Sequence, residues 1–123
     1  MAPVERHVPG ALTAVIYKIA PEKLWREAME TGSFSGSPVD VQDGFIHFST
    51  AAQVRDTAAR HFAGATDLVL VAITTTGLDL RWEPSRGGDL FPHLYDELPL
   101  DAVRWVKPLP LDANGGHEFP DLE

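Results

Sequence analysis

The run DLVLVAITT, Asp67 to Thr75, constrains the fold more than any other stretch. A half-buried strand alternates apolar and polar side chains. A continuous apolar, β-branched run that is too short for a buried helix belongs to a central strand covered on both faces. Whatever else the chain builds, it must supply a layer on each side of this strand.

The rest of the sequence offers the pieces. TAVIYKI (Thr13 to Ile19) is β-branched and aromatic and reads as a first strand. Pro21 suits the first position of a helix, where its missing N–H costs nothing. PEKLWREAMETG then puts Leu24, Trp25, Ala28 and Met29 on one stripe, with Glu22 favouring the dipole of the first turn and Gly32 as the stop. SFSGSPVDVQDG reads as a polar loop and GFIHFS as a second strand. Thr50 and Gln53 have the T-x-x-Q spacing of a capping box. They open a helix over Ala51 to Phe62 whose inner face carries Val54, Ala58 and Phe62, with Gly64 as its stop. LDLRW alternates Leu78, Leu80 and Trp82 against Asp79 and Arg81, the pattern of a half-buried strand. EPSRGGDLFPHLYDELPL reads as a long polar and aromatic loop, and AVRWVKPL as a last strand with Val103 and Trp105 on one face. Residues 1–12 read as an arm and DANGGHEFPDLE as a frayed tail. The order β-α-β-α-β-β-loop-β predicts an α+β fold with a mixed or antiparallel sheet and two main helices, not a doubly wound parallel one. One domain is expected, with its folded part at about 13–110.

Composition narrows the function classes. The 123 residues can bury a core without staples, and the absence of cysteine removes disulfides, thiolate chemistry and Cys-based metal sites. A net charge of −8 disfavours DNA as a partner. No apolar run approaches the roughly 20 residues of a membrane span. The start MAPVERHVPG lacks the apolar segment of a signal peptide, so a cytoplasmic location is the expectation.

Two stretches carry chemistry. In DGFIHFST, strand alternation puts Phe45, His47 and Ser49 on one face and Ile46 and Phe48 on the core face. The strand runs into a helix capped by Thr50, and a helix N-terminus attracts anions. His47, Ser49 and Thr50 therefore converge either as ligand contacts or as a satisfied core histidine beside a cap. In WEPSRGGDLFPHLY, the loop holds Glu83, Arg86, Asp89, His93 and Tyr95 around Gly87 and Gly88, which permit close approach of a ligand to the main chain. Arg86 could fork onto a phosphate or carboxylate, and Trp82, Phe91 and Tyr95 could present flat faces. The bland reading is a packed surface loop with Arg86 paired to Glu83 or Asp89. Tyr17 and Lys18 face opposite sides of the first strand. Tyr17 is a pocket candidate and Lys18 is expected in solvent. His47, His61 and His93 lack metal-ligand spacing, so no metal is expected. A two-histidine phosphoesterase would need a second H-x-[ST], which neither His93-Leu94-Tyr95 nor His61-Phe62-Ala63 supplies.

DGFIHFSTAAQV, HFAG, DLVLV, LRWEPSRGGDLFPHLY and LPLDAV together resemble a family of small bacterial proteins, the domain-of-unknown-function family 952. The resemblance spans Val15 to about Pro108. It implies an ADP-ribosyltransferase-like fold, in which two small sheets pack across a nicotinamide-nucleotide cleft, and NAD or another ADP-ribosyl or phosphorylated nucleotide as ligand. On that resemblance, VIYKI places Tyr17 or Lys18 where the superfamily holds an Arg or His on the nucleotide. Ile46-His47-Phe48-Ser49 is similar to the I-H-L-S run of the RNA 2′-phosphotransferase branch. The third motif of the superfamily supplies a Glu that activates the acceptor. No Glu-x-Glu or Gln-x-Glu precedes the last strand, and Glu83 and Glu97 are the nearest candidates. His47, Glu83 and His93 are the expected catalytic residues. Tyr17, Lys18, Ser49, Thr50, Trp82, Arg86, Asp89 and Tyr95 are the expected ligand contacts. The alternative is a binding module that kept the pocket and lost the acidic motif.

Overall fold

A computed structural model describes residues 14–122, without the side chain of Arg86. The arm expected at 1–12 lies outside the described residues. Eight strands and three helices follow in the order β1 (Val15–Pro21), α1 (Glu22–Thr31), β2 (Ser33–Phe34), α2 (Pro38–Asp43), β3 (Ile46–His47), α3 (Ala51–His61), β4 (Leu68–Thr74), β5 (Leu80–Pro84), β6 (Leu90–Leu94), β7 (Leu98–Pro99) and β8 (Val103–Pro108). They form three antiparallel sheets, ordered β1-β4-β8, β2-β7 and β3-β6-β5. The chain is α+β with antiparallel pairing.

The apolar run forms β4 at the centre of the first sheet and is buried on both faces. One face carries Val69, Val71 and Ile73. With Ile16 and Ala20 of β1 they pack on Trp25 and Ala28 of α1 and on Ile46 and Leu94 of the third sheet. The opposite face carries Leu68, Leu70 and Ala72, which pack with Tyr17 and Ile19 under Val54 and Ala58 of α3. The two-residue period of a strand thus divides one element between two cores. Burying each such aliphatic side chain contributes about 1.5–3 kcal/mol.

The helices keep most of their expected signals. Thr50 caps α3 with Gln53 in a capping box, the Thr50 N–H donating to Gln53 Oε1 at 3.0 Å. Gly32, at φ 96°, ends α1 in the left-handed conformation that glycine adopts without a Cβ clash. Pro21 differs from expectation, since it still pairs with Leu68 as the last residue of β1, and α1 begins at Glu22. Met29 is exposed at 58 % and leaves the apolar stripe to Leu24, Trp25 and Ala28.

Three segments depart further. The polar loop after α1 contains β2 and the short helix α2, set between Gly36 and Gly44, both at positive φ. The long loop after β5 is a β-hairpin whose second strand, β6, is the centre of the third sheet. Its turn holds Gly87 (φ 66°) and Gly88 (φ 86°), with the Ser85 N–H donating to the Asp89 carbonyl at 2.8 Å. The paired glycines serve the hairpin and do not line the cleft described below. The segment expected as a frayed tail packs on the body. Leu111 and His117 form a bridge, Asp112 Oδ1 accepts from the N–H groups of Asn114 and Gly116, and Phe119 and Leu122 cover the second core.

Candidate functional site

The third sheet carries the site because its two faces differ in chemistry. Ile46, Leu94 and Leu80 lie in one row across it and face the core, where Trp82 joins them. The neighbouring row is His47, His93 and Arg81. Strand alternation places this row on the outer face. Trp82 is therefore a core residue, not a ligand platform. The outer face looks toward the edge of β1, because Tyr17 and Ser49 exchange backbone hydrogen bonds at 2.8 and 2.9 Å. A cleft of about 460 Å³ opens between these sheets, with α2 along one side and α3 along the other. That volume suits a small ligand or nucleotide. A second hollow of about 550 Å³ lies beyond β6, lined by Asp79, Arg81, Tyr95, Asp96 and Glu97. It holds neither His47 nor His93, and the histidine cleft is the better candidate.

The cleft gathers His47, His93, Tyr17, Lys18 and Ser49 from the expected site residues. Thr50 caps α3 outside the lining, and Asp89 sits exposed in the hairpin turn. Glu83 and Tyr95 stand behind His93, outside the lining. The Arg86 side chain lies outside the described residues. The sequence reading did not single out Asp40, Asp43, Ser37 and Thr57, which also line the cleft.

Asp40 is the hub. Its side chain is 1 % exposed and meets Lys18 Nζ at 2.8 Å through Oδ2 and at 3.1 Å through Oδ1. Oδ1 also faces His47 Nδ1 at 2.6 Å and accepts from the His47 N–H at 3.2 Å. Oδ2 accepts from the Ser37 N–H at 2.8 Å and from its hydroxyl at 3.0 Å. Burial alone would raise the Asp40 pKa. The His47 hydrogen bond, the charge and hydrogen bond of Lys18 and the Ser37 N–H outweigh it, and the carboxyl is held well below the usual range. Lys18, expected in solvent, is 5 % exposed. Burial works against its ammonium charge and lowers its pKa, which Asp40 only partly offsets. The same Nζ donates to the His47 carbonyl at 3.0 Å, so one lysine fixes the strand that presents the histidine.

The two histidines are held differently. His47 lies between two carboxylates, with Asp40 at Nδ1 and Asp43 Oδ2 at 3.0 Å from Nε2. Asp43 is 42 % exposed, so this second contact is open to exchange with a ligand. His93 is 4 % exposed and its Nδ1 meets Glu83 Oε1 at 2.7 Å. The Tyr95 hydroxyl donates to the same oxygen at 2.7 Å. The hydrogen bonds from His93 and Tyr95 lower the Glu83 pKa, and Glu83 in turn raises that of Tyr95. The Phe45 ring stands 4.5 Å from the His47 ring and stacks at 4.2 Å on His93, and the two imidazoles are 5.4 Å apart. Ser49 is buried, and its hydroxyl pairs with that of Thr57 on α3 at 2.9 Å. Phe48, Phe62 and Phe91 give the cleft an apolar side. Among the described residues no group of three or more His, Asp or Glu side chains is placed to hold a metal ion. No helix among them is long and apolar enough to cross a membrane.

Comparison with known proteins gives a family and a set of related structures. Residues 19–106 match the family described as protein of unknown function DUF952. The crystal structure of protein CC0527 from Caulobacter crescentus is 46% identical, with a TM-score of 0.80 over 85% of this chain and 93% of that one. The solution NMR structure of the same protein is 47% identical, with a TM-score of 0.75 over 83% of this chain and 90% of that one. No curated protein matches.

Proposed function

The chain belongs to the DUF952 family, and we propose that its cleft binds NAD or another ADP-ribosyl or phosphorylated nucleotide and cleaves or transfers it at the ribose. One observation carries this reading. Two imidazoles, each anchored through Nδ1 by a carboxylate, stand 5.4 Å apart at a cleft of nucleotide size. A carboxylate behind an imidazole fixes its orientation and tautomer, as acid–base and ligand-orienting histidines require.

Two small sheets meeting at a cleft agree with the ADP-ribosyltransferase-like fold that the resemblance implies. The cleft also has sides of two kinds. Phe62 and Phe91 suit a base, and the polar side of His47, Ser37 and Asp43 suits a ribose and its substituents. When the bond from ribose C1′ to nicotinamide breaks, its electron pair leaves with the nicotinamide nitrogen, and the ribose becomes oxocarbenium-like. Asp43, at the rim beside His47, is placed to favour that positive charge, and preorganised charge of this kind supplies much of a barrier reduction. His47 orients the ribose once a ligand oxygen replaces Asp43 at Nε2.

The test is thermal melting with NAD, ADP-ribose and a 2′-phosphorylated nucleotide. A ligand at 100 times its Kd stabilises the fold by about 2.7 kcal/mol. The expected outcome is such a shift, lost in His47→Ala. No shift with any nucleotide would refute the reading. A second reading, binding without turnover, is favoured by the fate of the two candidate glutamates. Glu83 is engaged by His93 and Tyr95, Glu97 by the hydroxyls of Ser33 and Ser35, and neither lines the cleft. A melting shift with no nicotinamide released, followed by mass spectrometry, would select it.

A further inference from the structure

We propose that His93 activates the acceptor in this cleft, the role expected of a glutamate, with Glu83 and Tyr95 as positioning residues behind it. The inference rests on the nucleotide reading above and adds to it the base and the order of proton transfer.

The two imidazoles differ in which ring nitrogens are engaged. His47 has a carboxylate at each ring nitrogen, Asp40 at Nδ1 and Asp43 at Nε2. It is a holding group. His93 has only its Nδ1 engaged, by Glu83. Its Nε2, at the opposite edge of the ring, has no protein partner among the described residues. Trp25 Nε1 is the one fully buried side-chain nitrogen or oxygen lacking a partner among them. His93 Nε2 is therefore not sealed in the core, and the ring lines the cleft.

The tautomer follows from the partners. Glu83 Oε1 accepts from the Tyr95 hydroxyl and, as an ionised carboxylate, can only accept at Nδ1 as well. The Nδ1 proton is thereby fixed, and a neutral ring carries its lone pair on Nε2, toward the cleft. The stacked ring of Phe45 at 4.2 Å and the antiparallel pairing of His93 with His47 hold the plane of the imidazole. Glu83 approaches from β5 through the β5–β6 register, in which it pairs with Phe91, two residues before His93. A base, an orienting carboxylate and a hydroxyl that braces the carboxylate thus form one chain from the cleft to the surface.

The step balances with water or an alcohol as acceptor. The acceptor O–H passes its proton to His93 Nε2 while an oxygen lone pair forms the bond to ribose C1′. The C1′–N bond breaks, and its electron pair stays on the departing nicotinamide. Glu83 faces the imidazolium so formed, which then releases its proton to solvent. With NAD and water the products are nicotinamide, ADP-ribose and one proton.

The experiment measures nicotinamide release and nucleotide-induced melting shifts in parallel on the full chain. His93→Ala should keep the NAD-induced shift and lose turnover by about 10²–10⁴-fold, the range of general-base catalysis. Added imidazole should restore part of it. Glu83→Gln should lower kcat with KM little changed, as expected of a group that orients the base and does not touch substrate. Should His93→Ala unfold below the assay temperature, His93→Gln carries the same test, since its amide cannot accept a proton. Wild-type turnover in either His93 variant overturns the inference and leaves the nucleotide reading standing. Nucleotide binding by the wild type without nicotinamide release also overturns it. The absence of any nucleotide shift overturns the reading beneath it, and the inference with it.

Discussion

Replacing Asp40 with asparagine tests whether the cleft is organised around a buried charge. The substitution keeps the shape and removes the charge that faces Lys18 at 2.8 Å, where the two side chains are 6 % and 1 % exposed. Removing one partner of such a pair strands the other in a medium that solvates it poorly, at a cost of about 3–5 kcal/mol. For a domain of this size, 1 kcal/mol corresponds to a few degrees in melting temperature, so the fall should be about 10–20 °C at pH 7. The pH dependence gives an independent check. The folded carboxyl titrates below its unfolded value near 4. Across the interval between the two values the unfolded chain binds the proton and the folded chain does not, so stability rises with pH there. The contribution of Asp40 is complete above about pH 5 and is lost as pH falls below 4 through the folded value. Urea unfolding from pH 7 down to 3 should show the wild type converging on Asp40→Asn. Combining Asp40→Asn with Lys18→Met should recover part of the loss, because no unpaired ammonium remains. A loss under 1 kcal/mol at pH 7, or a gap that stays constant into acid, would refute the role of Asp40 as the charge-balancing hub.

Three further expectations follow from single contacts. Gly36→Ala places a Cβ 2.7 Å from Asp40 Cβ at a φ of +114°, and should cost about 1–3 kcal/mol in urea unfolding while weakening any nucleotide-induced melting shift. Thr50→Ala should cost about 0.5–2 kcal/mol through the cap of α3 and leave nucleotide shifts unchanged, since Thr50 is outside the cleft lining. Asp112→Ala removes the acceptor of two backbone N–H groups in the C-terminal turn and should make the chain after Leu111 newly sensitive to limited proteolysis at native temperature.

Elements that are locally complete were readable in the sequence. The unbroken apolar run announced β4, and the Thr50–Gln53 spacing announced the start of α3. The alternation in DGFIHFST placed Ile46 and Phe48 in the core and His47 and Ser49 at the cleft. What escaped reading depends on distant partners. β6 contains Pro92, which argues against a central strand because it lacks an N–H. Its carbonyl nevertheless accepts from Phe48, and β5 and β3 flank it. Helix α2 has six residues and no apolar period, so it exists through Asp40 more than through propensity. Asp40 had one local clue, the S-x-x-D spacing from Ser37, a capping box hidden in a loop rich in serine and glycine. Its ties to Lys18, 22 residues away, and to the His47 ring leave no such trace. Lys18 was expected in solvent for the same reason.

The Tyr17–Ser49 bridge has a bearing on which length changes this chain can survive. It fastens two sheets through two backbone hydrogen bonds just past His47, beside the Lys18 bond to the His47 carbonyl. Because strand side chains alternate, a slip of one residue in the segment from Phe45 to Ser49 would turn His47 inward and present Ile46 and Phe48 to water. One inserted or deleted residue there would invert the lining of the cleft and expose the core together. The same change at Thr76 or Gly77, in the exposed turn between β4 and β5, alters a surface loop alone. A library of single-residue insertions should therefore show a sharp gap at 45–49 and tolerance at 76–77, a map of indel sensitivity set by strand alternation.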